Sequence, residues 1–123
     1  MTKYLNLSDA IKLTARLGFH IKDSGLLEAA LARPRASAFG EDAYPEFELK
    51  IAAMMQSVIK NHALIDGNKR SAWLLSVSFM FLNGYKHNFT EEIAFDLILG
   101  LATDNYEIED AAKIIRKHLV KLK

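Results

Sequence analysis

The sequence contains no cysteine, which excludes disulfides, cysteine-ligated zinc and a thiol nucleophile. Two prolines and six glycines are all that interrupt its 123 residues, and no repeat, low-complexity tract or Gly/Ser linker divides them. One domain spanning 1–123, with one core, is therefore expected. An excess of either charge is also missing: 16 Lys and Arg face 15 Asp and Glu, for a net charge of +1. No general attraction to nucleic acid or to a membrane follows, so any anion site must come from local placement. Nor is there a long hydrophobic run. The most apolar segment, Trp73 to Leu82, is broken by two serines and has half the ~20 residues a membrane span requires. The first residues, Met-Thr-Lys-Tyr-Leu-Asn, lack the apolar stretch of a secretory signal, and a cytoplasmic protein is expected.

What is present reads as helix. Half the residues are apolar and a quarter charged, the balance of a folded globular chain. Asn6 and Asp9 mark the start of a first helix, with Leu7, Ile11, Thr14 or Ala15, and Leu17 as its inward stripe and Gly18 as its stop. A second follows Asp23-Ser24-Gly25, carries Leu27, Ala30 and Leu31, and ends at Pro34. Residues Arg33 to Tyr44 form the longest stretch without a period, and a loop of that length in a small domain is often functional. Pro45 opens a third helix, with Phe47, Ile51, Met54 or Met55, and Val58 in register, running to about Asn61. Ser71 to Leu82 is apolar nearly all round, which predicts a helix buried on most sides and ended by Asn83-Gly84. Two further helices start near Thr90 (Ile93, Leu97, Leu101) and Ile108 (Ala112, Ile115, Leu119 inward). No segment alternates with period 2, so the expected class is all-α: about six helices around a buried central one.

Between the third and fourth helical patterns lies His62-Ala-Leu-Ile-Asp66-Gly67-Asn68-Lys69-Arg70. Gly67 permits close backbone approach, and Asn68 is placed to cap the helix that follows. The first amides of that helix lack intrahelical partners and can receive an anion. Lys69 and Arg70 fall in its first turn, where the dipole disfavours cations, a placement that makes sense if an anion sits between them. Asp66 offers a hard oxygen ligand to Mg²⁺, and His62 has a side chain that exchanges a proton near neutral pH.

These nine residues resemble the core motif of the Fic/Doc family, H-x-F-x-[DE]-G-N-x-R, and Lys69 after the Asn is the choice of its Doc (death-on-curing) branch. The likeness extends from the first helix to the sixth, and includes Leu26-Leu-Glu-Ala-Ala-Leu-Ala-Arg-Pro34 upstream. The resemblance implies that His62 is the general base toward a target hydroxyl, that Asp66 positions Mg²⁺, and that Gly67, Asn68 and Arg70 cradle the phosphates of ATP, with Lys69 a further phosphate contact by its place in the first turn. Leu64 replaces the usual Phe that anchors the loop. Lys69 replaces the second Gly of the AMP-transferring members, and Trp73 replaces their second Arg. In Doc-like proteins those changes accompany a reversed nucleotide and transfer of the γ-phosphate, which implies a hydroxyl of elongation factor Tu as target and arrest of translation. AMP transfer is the second reading. Self-restraining members carry [ST]-x-x-x-E-[GN]; here Ser24, Ser37 and Thr103 have Glu four residues on, but Ala29, Asp42 and Ile108 then break the pattern. Inhibition is therefore expected from a separate antitoxin chain.

Arg35, beyond the second helix, is a further candidate for phosphate or target contact, ahead of Arg33; Phe39 and Tyr44 either dock a partner or cover the core edge. His20, His87 and His118 lack metal-ligand spacing with His62 and are expected to be structural or surface residues. The basic last helix is read as a solvated face. Two rival classes remain. One is a catalytically dead module, which should have lost His62 or Asp66 and has not. The other is a metal-dependent hydrolase, which would need further ligands at helical spacing.

Overall fold

A computed structural model describes residues 1–65 and 67–122; the placement of Asp66 and Lys123 lies outside it. Six helices make up most of the described chain: α1 (Leu7–Arg16), α2 (Ser24–Ala32), α3 (Phe47–Asn61), α4 (Asn68–Leu82), α5 (Glu91–Ala102) and α6 (Ile108–His118). Local side-chain chemistry fixes most of their starts. Asn6 accepts from the Asp9 amide, Asp23 from that of Leu26 and Thr90 from that of Ile93, while Glu107 and Asp110 form a capping box on α6.

The central helix is α3, which packs on α2, α4, α5 and α6. Ile51, Ala52, Ala53, Met54, Met55, Val58 and Ile59 are all buried, and the two small residues let neighbours approach from several sides. The helix expected to be most enclosed, α4, is instead one-sided. Ser71, Ala72, Leu75, Ser76, Phe79 and Met80 face the core, while Phe81 on the opposite side is 66% exposed. In α1 the buried positions are Ala10 and Thr14, whose hydroxyl donates to the Ala10 carbonyl; Ile11 and Leu17, expected inward, are 39% and 46% exposed. The small residues win the inward face because α1 lies close against its neighbours.

Four short strands depart from the purely helical expectation. Ser37–Ala38 (β1) and Glu41–Asp42 (β2) pair as a hairpin in the long loop, with Phe39 and Gly40 both at positive φ, 55° and 82°, as a two-residue hairpin turn demands. A single turn of 3₁₀ helix, Arg33–Arg35, precedes it. Tyr85–His87 (β3) pairs antiparallel with Leu119–Lys121 (β4), so Leu119 belongs to a strand and not to α6. Two or three residues are too few to show a period of 2 in sequence.

Beside β3, Trp73, His87, Phe89 and His118 form a chain of tilted and edge-on rings with centroids 4.6 to 5.7 Å apart. His87 Nδ1 accepts the Phe89 amide, and His118 Nδ1 pairs with Asn88 Oδ1. Burial, helped by the nearby His118, lowers the pKa of His87 from its ordinary 6.5. The unfolded chain thus takes up this proton at a higher pH than the folded one, so stability is present above 6.5 and is lost as pH falls below it. Thermal melts between pH 7.5 and 5.5 should show a falling midpoint, and His87→Gln should flatten that slope; an unchanged slope would remove His87 as its source.

Candidate functional site

After Asn61 the chain reverses at His62, which takes up left-handed backbone angles (φ 53°, ψ 45°) as the cap of α3. A non-glycine residue held there costs about 1 kcal/mol or more and needs compensation from its surroundings. The compensation comes from two sides. On one, the segment between α1 and α2 lies against the loop: the Lys22 and Asp23 amides donate to the Ala63 carbonyl at 2.8 and 2.9 Å, and the Ile65 amide donates to the His20 carbonyl at 3.1 Å. On the other, Asn68 closes on Leu64, accepting from its amide and donating to its carbonyl, both at 3.2 Å. Leu64 is 1% exposed and so fills the anchor position of the missing Phe.

Asn68 is therefore not the cap of α4, as its position suggested. Gly67, at φ 76°, occupies the cap position, and no side chain of the described residues caps α4. The side-chain carboxamide of Asn68 is spent on holding the loop and does not cap the first-turn amides. The start of α4 borders a pocket of about 690 Å³ lined by Phe19, Ile59, Lys60, His62, Gly67 to Arg70, Ala102 and Thr103.

Five of the residues singled out from sequence, His62, Gly67, Asn68, Lys69 and Arg70, share this pocket. Lys69 and Arg70 are exposed, as is His62. Arg35 is not brought to it. Its guanidinium lies 5.9 Å from the ring of Tyr4, which stacks on Phe79 near the far end of α4. Eleven helical residues separate Asn68 from Phe79, about 16 Å of rise. Arg33 is a structural residue, donating to Tyr44 Oη, the Ala53 carbonyl, Gln56 and Ser57. Tyr44 is thereby tied to the core edge, whereas Phe39 stands fully exposed at the hairpin tip. The metal ligand expected at Asp66 lies outside the described residues. Among the described residues, no three His, Asp or Glu side chains gather into a metal cluster.

Sequence reasoning missed Phe19, Lys60 and Thr103. Lys60 donates to Asp104 at 2.6 Å and to the Ala102 carbonyl at 3.4 Å, tying the end of α3 to the turn after α5. None of the three follows a motif or a helical period that would have marked it. The pocket combines cations, a helix start and an exposed imidazole, a set suited to a phosphate-bearing ligand beside a proton acceptor.

A second hollow, of about 710 Å³, adjoins the first through Lys69 and Arg70 and is lined mainly by apolar side chains, among them Leu17, Trp73, Leu74, Val77, Phe95 and Leu99.

Comparison with known proteins gives a family match and a relative. The model of a family described as Fic/DOC family matches residues 4–80, which hold α1 to α3, the motif loop and most of α4. The chain is also 40% identical over 118 residues to a protein named Toxin Doc from Mycolicibacterium smegmatis, an alignment covering 91% of this chain and 90% of that one.

The clamp on the loop can be tested directly. Asn68→Ala should cost about 1–3 kcal/mol in denaturant melts, because two Leu64 backbone groups lose their partner. A variant as stable as the parent would show that Asn68 does not hold the loop.

Proposed function

The chain belongs to the Fic/DOC family, and on that premise we propose that it is the toxin of a toxin–antitoxin pair, a protein kinase that moves the γ-phosphate of ATP to a hydroxyl group of elongation factor Tu and so arrests translation. The observation that carries this reading is the meeting of His62 with the cationic start of α4 in one pocket. His62 takes the proton of the target hydroxyl as its oxygen attacks the γ-phosphorus. The bond from that phosphorus to the β–γ bridging oxygen breaks, and ADP leaves. Lys69, Arg70 and the first amides of α4 hold the phosphate oxygens in place and stabilise the charge that gathers on them. Mg²⁺, when bound, neutralises the phosphates, and Asp66 is its ligand by family likeness.

Two features favour γ-phosphate over AMP transfer. Lys69 lines the phosphate pocket itself. Trp73 packs its ring against His87 and Phe89, so no second guanidinium projects from α4 at that position.

A separate inhibitor also fits. Leu17, Phe95 and Leu99 leave an apolar groove along α4 that ends on Lys69 and Arg70, with Arg16 and Lys12 along its continuation. An amphipathic antitoxin segment with acidic side chains would cover it and crowd the phosphate pocket. No helix of the described residues is long and apolar enough to cross a membrane.

Purified protein with Mg²⁺ and elongation factor Tu, given ATP labelled at either the γ- or the α-phosphate, tests the reaction. Transfer of γ-label alone is expected, reduced about 10²–10⁴-fold in His62→Ala; transfer of α-label would make the enzyme an AMP transferase. For the partner, Phe95→Asp should abolish rescue by co-expressed antitoxin while leaving transfer intact. Undiminished rescue would place the inhibitor elsewhere.

A further inference from the structure

Phe19 belongs to no motif and stands in the short link between α1 and α2, yet it touches the phosphate loop at its tightest point. A Cβ built on Gly67 would lie 2.5 Å from each of Cε1, Cε2 and Cζ of Phe19. Three equal distances place that missing atom over the face of the ring and not at its edge. Gly67 thus needs to be glycine twice over, for its φ of 76° and for the ring that covers it. Across the same ring lies Arg70, its Cζ 6.0 Å from the centroid, within reach of a cation–π attraction. Phe19 is itself fixed. Its amide donates to the Thr14 carbonyl at 3.2 Å, and the next residues carry the backbone bonds to Ala63 and Ile65.

We propose that Phe19 is a positioning residue for the phosphate site: its ring sets the bend at Gly67 and the direction of Arg70, so that the cradle exists before the ligand arrives. The role rests on the nucleotide reading given above for what the cradle receives, but the positioning itself does not. Phe19 acts through Gly67 and Arg70, and its effect belongs to ligand affinity more than to the proton transfer at His62. A preformed cradle binds more tightly because the ligand does not have to order it.

The test uses the full chain with Phe19→Leu, which keeps an apolar side chain but removes the ring, and Phe19→Tyr, which keeps the ring. Calorimetric titration with Mg²⁺–ATP and with Mg²⁺–tripolyphosphate is paired with amide hydrogen exchange at Gly67 to Arg70 and with melting curves. Phe19→Leu should weaken both ligands by the same factor, roughly 3- to 30-fold, and speed exchange at those amides. Phe19→Tyr should restore both. Weakening confined to ATP would overturn the proposal, since the ring would then be a contact for the base. So would unchanged affinity and exchange, or a loss in both variants that simply follows a lowered melting temperature. If the unmodified chain binds neither ligand, the nucleotide reading falls, and the exchange rates alone still decide whether Phe19 sets the loop.

Discussion

The strip of backbone hydrogen bonds between residues 20–23 and 63–65 is the constraint on which the site depends. The loop leaves α3 through a left-handed residue, His62, and enters α4 through a second left-handed residue, Gly67. Neither bend is sustained by helix geometry. Two amides on the Ala63 carbonyl, one bond from Ile65 to His20 and the Asn68 bridge to Leu64 hold the segment from both sides. Such bonds contribute about 1 kcal/mol each, comparable with the cost of a left-handed non-glycine residue. Their number, more than the strength of any one, keeps the imidazole and the start of α4 facing one pocket.

Within that frame two cations lie where a helix start disfavours them. Lys69 and Arg70 sit at the positive end of α4, where each cation is disfavoured by about 0.3–1 kcal/mol. The contact of Arg70 with the Phe19 ring offsets a similar amount, about 0.5–1 kcal/mol at an exposed site. Under the proposed nucleotide reading, a bound anion would offset both cations and take up the first amides of α4.

Much of this was legible in the chain, and what was not has physical reasons. Asn6, Asp23 and Thr90 were readable as helix starts because a cap is a local hydrogen bond between residues three apart. The motif from His62 to Arg70 announced its pocket because its residues are contiguous. Ile11 and Leu17 misled because hydrophobicity does not say which face has a neighbour, and the close approach of α1 selected Ala10 and Thr14. Asn68 looked like a cap because sequence shows the side chain available but not that Leu64 competes for it. Arg35 was a candidate for phosphate or target contact because it lies beyond the helix, yet its guanidinium lies by Tyr4 and does not line the pocket. Phe19 was invisible because its partners are 48 and 51 positions away and no periodicity links them.

The central claim is that nucleotide phosphates bind at the start of α4, beside His62. An amide-resolved NMR titration of the chain with Mg²⁺–ATP tests it most directly. The account predicts the largest shifts at Gly67 to Arg70, with smaller ones at Phe19 and His62 and none at Arg35. Saturable shifts centred elsewhere, or none at millimolar nucleotide, would contradict it.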